Sequence, residues 1–260
     1  MTRLLLSFIA FTACGTTLTP TLAQVSGRTV EVVEAGSGSA TVVFEAGLGT
    51  DWVTWDPVAH DVSAHARVFG YSRPGYGRSQ TTAEPPTATR IVEDLRALLA
   101  ARAFTPPYIL VGHSFGGAYL ELFAKTHPDE VVGLVLVDSR PAGFGAACVD
   151  AGISGCSIST SAAAALPAHE RAEVEAFPGV ADELRAAGSF GPYPVRVLVA
   201  TSHSLSREGE ALWVAMQRAT AAEAADGQAE VFTGVGHNLH RERPRDVVKV
   251  ILALIPVPAT

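Results

Sequence analysis

The chain alternates short, uniformly apolar runs with longer segments in which apolar residues recur every three or four positions. The first pattern predicts buried strands, and the second predicts amphipathic helices. The predicted strands are 28–34, 41–45, 66–71, 108–111, 131–137, 195–201 and 229–233. The predicted helices are 51–64, 87–102, 117–125, 209–225 and 244–254. Strands that alternate with helices predict a mostly parallel sheet covered by helices on both faces.

One long segment interrupts this alternation. Residues 139–194 contain no strong strand pattern, and their clearest feature is a predicted helix around 169–177. Because the segment lies between two central strands, we expect it to form a small cap over one edge of the sheet. The remaining length suits one α/β domain, so residues 24–260 are predicted to form a single domain.

The N-terminal segment has the organisation of an export signal. Arg3 supplies a positive charge, residues 4–13 form an apolar run, and Thr21-Leu22-Ala23 resembles a cleavage site. We therefore expect residues 1–23 to be removed and the mature protein to be secreted or periplasmic. In the alternative, a lipoprotein signal, Cys14 carries a lipid anchor that holds the protein at the membrane. The apolar run is too short for an ordinary transmembrane helix.

Composition narrows the range of functions. Apolar residues make up 48% of the chain and charged residues 17%, which excludes a disordered protein. The net charge of −7 and the absence of a basic cluster argue against a nucleic-acid partner. Cys148 and Cys156 can form a disulfide in an oxidising compartment, or remain free thiols in a reducing one. No Cys/His spacing typical of zinc occurs, so neither a metal nor another cofactor is expected.

The segment Gly112-His113-Ser114-Phe115-Gly116 joins a predicted buried strand to a predicted helix. A serine at such a sharp turn has its hydroxyl held out at the edge of the sheet, and the flanking glycines avoid collisions with the neighbouring backbone. This context predicts that Ser114 is a nucleophile.

An activated serine requires a base, which in turn requires an orienting acid. His237 lies in the segment Gly234-Val235-Gly236-His237, directly after the last predicted strand, and is the predicted base. His240 is the alternative base. Asp138 directly follows the strand 131–137 and is the predicted acid. The other favourable position for an acid, the turn after strand 195–201, contains no carboxylate, and this absence favours Asp138. The alternatives for the acid are Glu208 and then Asp226.

An acyl-transfer reaction also requires backbone N–H groups that stabilise a developing oxyanion. The amide of Phe115, immediately after the predicted nucleophile, is one expected donor. The loop that follows strand 41–45 is rich in glycine, and the amide of Leu48 is the second expected donor.

The chain resembles the α/β-hydrolase superfamily, and in particular esterase-like bacterial serine hydrolases with a small cap. The resemblance rests on five segments, which occur in this order: Glu45-Ala46-Gly47-Leu48-Gly49, Ser72-Arg73-Pro74-Gly75-Tyr76-Gly77-Arg78-Ser79, Gly112-His113-Ser114-Phe115-Gly116-Gly117, Leu134-Val135-Leu136-Val137-Asp138 and Gly234-Val235-Gly236-His237. It implies an eight-stranded sheet with Ser114, an acid and His237 at its carboxyl edge. The chain departs from the family pattern where Ala46 replaces a histidine, where Ser72 replaces an aspartate, and where the usual acid after the penultimate strand is missing. The missing acid favours the alternative position at Asp138.

These features predict a serine hydrolase that cleaves small-molecule carboxylic esters through an acyl-enzyme intermediate. Amide, lactone and carbon–carbon bond hydrolysis would use the same residues and remain alternatives. Haloalkane and epoxide chemistry are disfavoured, because the relatives that perform them have an aspartate at the position of Ser114. A hypothesis of another class is a hydrolase-derived protein that binds a small molecule without turnover. The sequence leaves the oligomeric state open.

Overall fold

The computed structural model describes residues 17–256. Within that range an eight-stranded sheet has the spatial order β1-β2-β4-β3-β5-β6-β7-β8. Pairs β1/β2 and β2/β4 are antiparallel, and the remaining pairs are parallel. The strands are β1 (Thr21–Val25), β2 (Arg28–Ala35), β3 (Thr41–Glu45), β4 (Arg67–Tyr71), β5 (Tyr108–His113), β6 (Val131–Val137), β7 (Val195–Ser202) and β8 (Gly227–Gly236).

Helices cover both faces of the sheet, because alternate residues of each central strand point to opposite sides. In β5, for example, Leu110 packs into one apolar cluster while Ile109 and Val111 pack into the other. The first cluster lies against α2, α3 and α8, and the second against α1 and α10. The helices are α1 (Asp56–Ser63), α2 (Ala88–Ala101), α3 (Phe115–Thr126), α4 (Phe144–Asp150), α5 (Thr160–Ala164), α6 (Ala168–Ala176), α7 (Val180–Ala187), α8 (Arg207–Ala222), α9 (Leu239–Glu242) and α10 (Pro244–Ala253). The predicted fold, a mostly parallel eight-stranded sheet between helices, is confirmed.

Helices α4 to α7 all lie between β6 and β7, within the segment predicted to form a cap. A disulfide joins Cys148 of α4 to Cys156 in the loop that follows it. Phe177, at the end of α6, stacks on Phe115 at the start of α3, with ring centroids 3.8 Å apart. The end of α6 therefore packs directly over the start of α3, next to the turn that contains Ser114.

The sheet begins earlier than the sequence pattern predicts. Residues 1–16, which include Cys14 and most of the predicted export signal, lie outside the described residues. Thr21-Leu22-Ala23 of the predicted cleavage site belongs to β1, where Ala23 is 5% exposed and pairs with Val30. Cleavage after Ala23 would remove residues 21–23 of this strand. Over residues 17–256, no helix has the length and apolar character needed to cross a bilayer.

Candidate active site

Ser114 lies in the sharp turn between β5 and α3. Its backbone has φ 54° and ψ −122°, a strained combination for a residue with a side chain. The turn is tight because glycines allow close approach: a Cβ on Gly112 would lie 2.7 Å from the Cα of Gly117, and one on Gly116 would collide with the carbonyl of Ala46. The turn holds the Ser114 hydroxyl at the carboxyl edge of the sheet, as the sequence predicts.

His237 follows β8 and reaches Ser114 from the other side of the same edge. Its Nε2 lies 2.9 Å from Ser114 Oγ, and its Nδ1 lies 2.6 Å from Oδ2 of Asp138. Asp138 can only accept at that oxygen when it is ionised, so Nδ1 carries the proton and Nε2 is free to accept from the serine hydroxyl. The structure thus brings Ser114, His237 and Asp138 together in one hydrogen-bonded chain.

Asp138 follows β6 with φ 44° and is completely buried. Its Oδ1 accepts hydrogen bonds from the Ala200 amide at 2.9 Å and from the side chains of Trp213 at 3.0 Å and Gln217 at 3.2 Å. Burial alone would raise the pKa of Asp138, but hydrogen bonds from His203 and His237 outweigh it and hold the pKa below its usual range. The carboxylate is therefore ionised and fixed in orientation.

His203, which is not among the predicted site residues, lies in the turn after β7. Its Nε2 is 2.7 Å from Asp138 Oδ2, and its Nδ1 is 2.7 Å from Oε2 of Glu210 on α8. Both ring nitrogens face carboxylate oxygens, and an imidazole donates from both only when it is protonated. Burial opposes this charge, but Asp138 and Glu210 outweigh it and raise the pKa of His203. The sequence does contain one indication of this role: a histidine stands in a turn where a carboxylate is usual, and a glutamate follows it seven residues later.

The other residues considered for base and acid lie elsewhere. His240 is fully buried, bonds to Thr54 Oγ1 through Nε2 at 2.7 Å and has its pKa lowered by burial to about 2. Glu208 is exposed on the first turn of α8, and Asp226 forms an ion pair with Arg196 at 3.0 Å. Within residues 17–256, none of these three side chains bonds to Ser114 or His237.

The two expected oxyanion donors belong to segments that adjoin Ser114. Phe115 is the first residue of α3, where amide N–H groups have no partner within the helix. Leu48 follows Gly47 in the loop after β3, and a Cβ on Gly47 would lie only 3.1 Å from Ser114 Cβ. This loop therefore passes directly beside the serine.

Arg73 fixes the position of that loop. Its guanidinium donates to the carbonyls of Ala46 at 2.6 Å and Gly47 at 3.0 Å, and it is itself buried. Two carboxylates neutralise it: Glu45 of β3 at 2.6 Å and Glu173 of α6 at 2.8 Å. Arg73 thus connects the loop beside Ser114 to the helices above it.

A cavity of about 270 Å³ opens beside His237. Its walls include Arg140, Phe144, Cys156, His203 and Trp213. Its volume is just below the range typical of small-molecule sites, so it suits a small ligand group.

Among the described residues, Asp138, His203 and His237 have possible metal-binding atoms within 4.8 Å of one another. These atoms are already hydrogen-bonded to each other. A metal here would have to displace the proton between Asp138 and His237, so the arrangement fits a hydrogen-bond network better than a metal centre.

A family model described as the alpha/beta hydrolase fold matches residues 40–238, more than half of the chain. The uncharacterized protein YqjL of Bacillus subtilis (strain 168) is 39% identical over 103 residues, which is 40% of this chain and 41% of YqjL. The matched part thus spans less than half of that relative.

Solved structures of similar fold include two hydrolases. The enol-lactonase of Burkholderia xenovorans LB400 matches with a TM-score of 0.70 at 21% identity, over 90% of this chain and 99% of the other. The ligand-free epoxide hydrolase CorEH matches with a TM-score of 0.69 at 17% identity, over 91% of this chain and 98% of the other. At such identities the likeness shows the fold and not the reaction.

Proposed function

The chain belongs to the α/β-hydrolase family, and on that premise we propose that it is a serine hydrolase of carboxylic esters. The observation that carries the proposal is the chain of contacts from Ser114 Oγ through His237 to Asp138, with distances of 2.9 and 2.6 Å. The fold supports hydrolase activity in general, and the serine between two possible oxyanion donors favours acyl transfer within it.

In the acylation step, Ser114 Oγ attacks the ester carbonyl while His237 Nε2 takes its proton. Asp138 holds His237 in the required tautomer and stabilises the imidazolium that forms. The amides of Leu48 and Phe115 stabilise the oxyanion of the tetrahedral intermediate. His237 then returns the proton to the leaving alcohol, and the acyl group remains on Ser114.

In the deacylation step, His237 takes a proton from water, and the resulting nucleophile attacks the acyl-enzyme. The same two amides stabilise the second tetrahedral intermediate. This intermediate collapses with departure of Ser114 Oγ, which receives the proton from His237, and the carboxylic acid is released. This proposal includes no metal or organic cofactor among the reacting groups.

Turnover distinguishes this proposal from a binding role. We expect 4-nitrophenyl butyrate to be hydrolysed for many cycles, and acid quenching during the reaction to trap a butyryl adduct on a peptide that contains Ser114. One equivalent of 4-nitrophenol without further release would contradict catalysis and favour the hydrolase-derived binding protein. A matched amide and a lactone tested alongside would show whether another bond is preferred.

We also propose that the protein is exported, either as a secreted or periplasmic protein or with a lipid anchor on Cys14. The Cys148–Cys156 disulfide supports this, because disulfides persist mainly in oxidising compartments. A mature chain that begins at Cys14 keeps β1 whole, whereas one that begins at Gln24 loses residues 21–23 of it. The intact mass of the exported protein distinguishes the two. A full-length mass in the cytosolic fraction would contradict export.

A further inference from the structure

Arg140 lies two residues beyond Asp138, on the segment that leaves β6. Its amide donates to the carbonyl of Ser114 at 3.0 Å, so its backbone is held directly beside the proposed nucleophile. Its side chain forms part of the wall of the cavity of about 270 Å³ that also contains His237. A ligand group in that cavity can therefore touch both Arg140 and His237.

The charge of Arg140 has no counterion within residues 17–256. Among the described residues, no carboxylate oxygen lies within 4.0 Å of its guanidinium, and its one side-chain hydrogen bond there goes from Nη2 to the carbonyl of Cys156 at 2.8 Å. A guanidinium has five N–H donors, so four remain for a ligand or water. Arg73 provides the contrast, because its buried guanidinium is neutralised by Glu45 and Glu173.

The surroundings of Arg140 make this charge costly. Its guanidinium carbon lies 5.6 Å from the ring of Phe144 and 6.0 Å from the rings of Phe115 and Phe177. Aromatic faces attract a cation weakly and replace only part of its lost hydration. Burial accordingly lowers the pKa of Arg140. An anion bound beside the guanidinium would offset much more of the free energy lost by dehydrating its charge.

The carboxylates of Glu210 and Asp138, which contact the wall residue His203, are already engaged. Both oxygens of Glu210 bond to His203, one through the backbone amide and one through the ring. Asp138 accepts from two histidine rings, an indole, an amide side chain and a backbone N–H. His203, the other charged group in the wall, is thus satisfied by these two carboxylates, and neither has an oxygen left for Arg140.

We propose that Arg140 binds a carboxylate of the substrate, so that the preferred substrates are esters with a free carboxylate a few bonds from the scissile carbonyl. Half-esters of short dicarboxylic acids fit both the charge and the cavity volume. A guanidinium suits this role because its planar donors match the two oxygens of a carboxylate. This inference rests on the proposed esterase function and specifies its substrate class.

The test compares monoethyl glutarate with ethyl pentanoate, two ethyl esters that differ mainly by the terminal carboxylate. We expect wild-type kcat/KM to be at least about 10-fold higher for monoethyl glutarate, mostly through KM. Arg140→Met keeps an unbranched side chain but removes the guanidinium. It should lower kcat/KM for monoethyl glutarate roughly 10- to 100-fold, in line with the loss of a charge-assisted hydrogen bond. It should change kcat/KM for ethyl pentanoate less than about 3-fold. Arg185→Met, which removes an exposed arginine of α7, should change neither.

In the kinetic comparison, the inference is overturned by a wild-type kcat/KM that is no higher for monoethyl glutarate than for ethyl pentanoate, or by equal losses on both esters in Arg140→Met. Labelling of Ser114 by a fluorophosphonate separates this failure from failure of the proposed function. Glutarate should slow labelling of the wild type and not of Arg140→Met. Labelling that glutarate does not slow would reject the carboxylate site alone, whereas complete absence of labelling would reject the esterase proposal.

Discussion

The Nε2 atom of His203 lies 2.7 Å from Oδ2 of Asp138, the same oxygen that accepts from His237. One carboxylate oxygen therefore serves two histidines of opposite protonation state. His203 is held as a cation by Asp138 and Glu210, while His237 can still accept a proton from Ser114. His203 thus places a positive charge at the position after β7, where the family usually has its acid. This charge partly offsets the negative charge of Asp138, the acid after β6.

This arrangement predicts a role for His203 in the pH dependence of activity. His203→Gln keeps a donor for Asp138 but removes the positive charge, so Asp138 should favour protonation of His237 more strongly. We expect the acidic limb of kcat/KM to move to higher pH. Ester hydrolysis from pH 5 to 9 measures this, with the exposed His65→Gln as the matched control. An unmoved limb would mean that His203 is only a structural residue.

Asp138→Asn tests the proposed acid. Asparagine has the same shape, but it cannot supply the negative charge that stabilises a protonated His237. We expect kcat to fall about 10³- to 10⁴-fold near neutral pH. Glu208→Gln and Asp226→Asn alter the two alternative acids and should each change kcat less than about 2-fold. A large loss in either of these variants, with Asp138→Asn active, would reassign the acid.

Arg73→Met tests how the loop beside Ser114 is held. The substitution leaves Glu45 and Glu173 buried without their cation, so we expect a loss of about 3–5 kcal/mol in the free energy of unfolding. Activity should fall even where the variant is folded, because the loop that contains Leu48 loses its anchor. Urea denaturation and kcat measure the two effects. Arg96→Met, which breaks partly exposed ion pairs with Glu93 and Glu130, is the control and should cost less than about 1 kcal/mol.

Two buried neutral histidines predict a loss of stability in mild acid. Burial lowers the pKa of His113 to about 3 and that of His240 to about 2, whereas an unfolded histidine titrates near 6.5. The unfolded chain thus binds more protons below pH 6.5, and the stability present above that pH is lost as the pH falls. Between pH 6.5 and 5 each histidine should contribute a loss of about 2 kcal/mol.

Replacing one of them should reduce this dependence. His240→Gln can still bond to Thr54, so the variant should lose about 2 kcal/mol less than the wild type between pH 6.5 and 5. Urea denaturation at the two pH values measures the difference. Equal losses in both proteins would show that His240 does not remain neutral in the fold.

Sequence patterns predict most of the strands and helices and the candidate residues at the strand ends. The strand-to-helix turn at Ser114 and the strand ends before Asp138 and His237 are local signals, and parallel topology brings strand ends to one edge. The sequence patterns do not predict β1. This strand is short and overlaps the predicted export signal, and nothing local shows that its residues pair with β2. The first turn of the predicted helix 51–64 is a 3₁₀ turn, Trp52–Trp55, which the side chain of Asp51 caps.

The remaining features depend on contacts between distant segments. His203 is 65 residues from Asp138 in the chain, and its protonated state follows from two carboxylates that only the fold brings to its ring. The same holds for Arg140, because a missing counterion is a property of the folded surroundings. Local periodicity carries no signal for either residue.

Every proposed step depends on Ser114 being a nucleophile activated by His237. The decisive measurement is the intact mass of the wild type and of Ser114→Ala, each after incubation with a fluorophosphonate. We expect one adduct on the wild-type protein and none on Ser114→Ala. A folded wild-type protein that remains unlabelled, or a Ser114→Ala variant labelled as fast as the wild type, would contradict the claim.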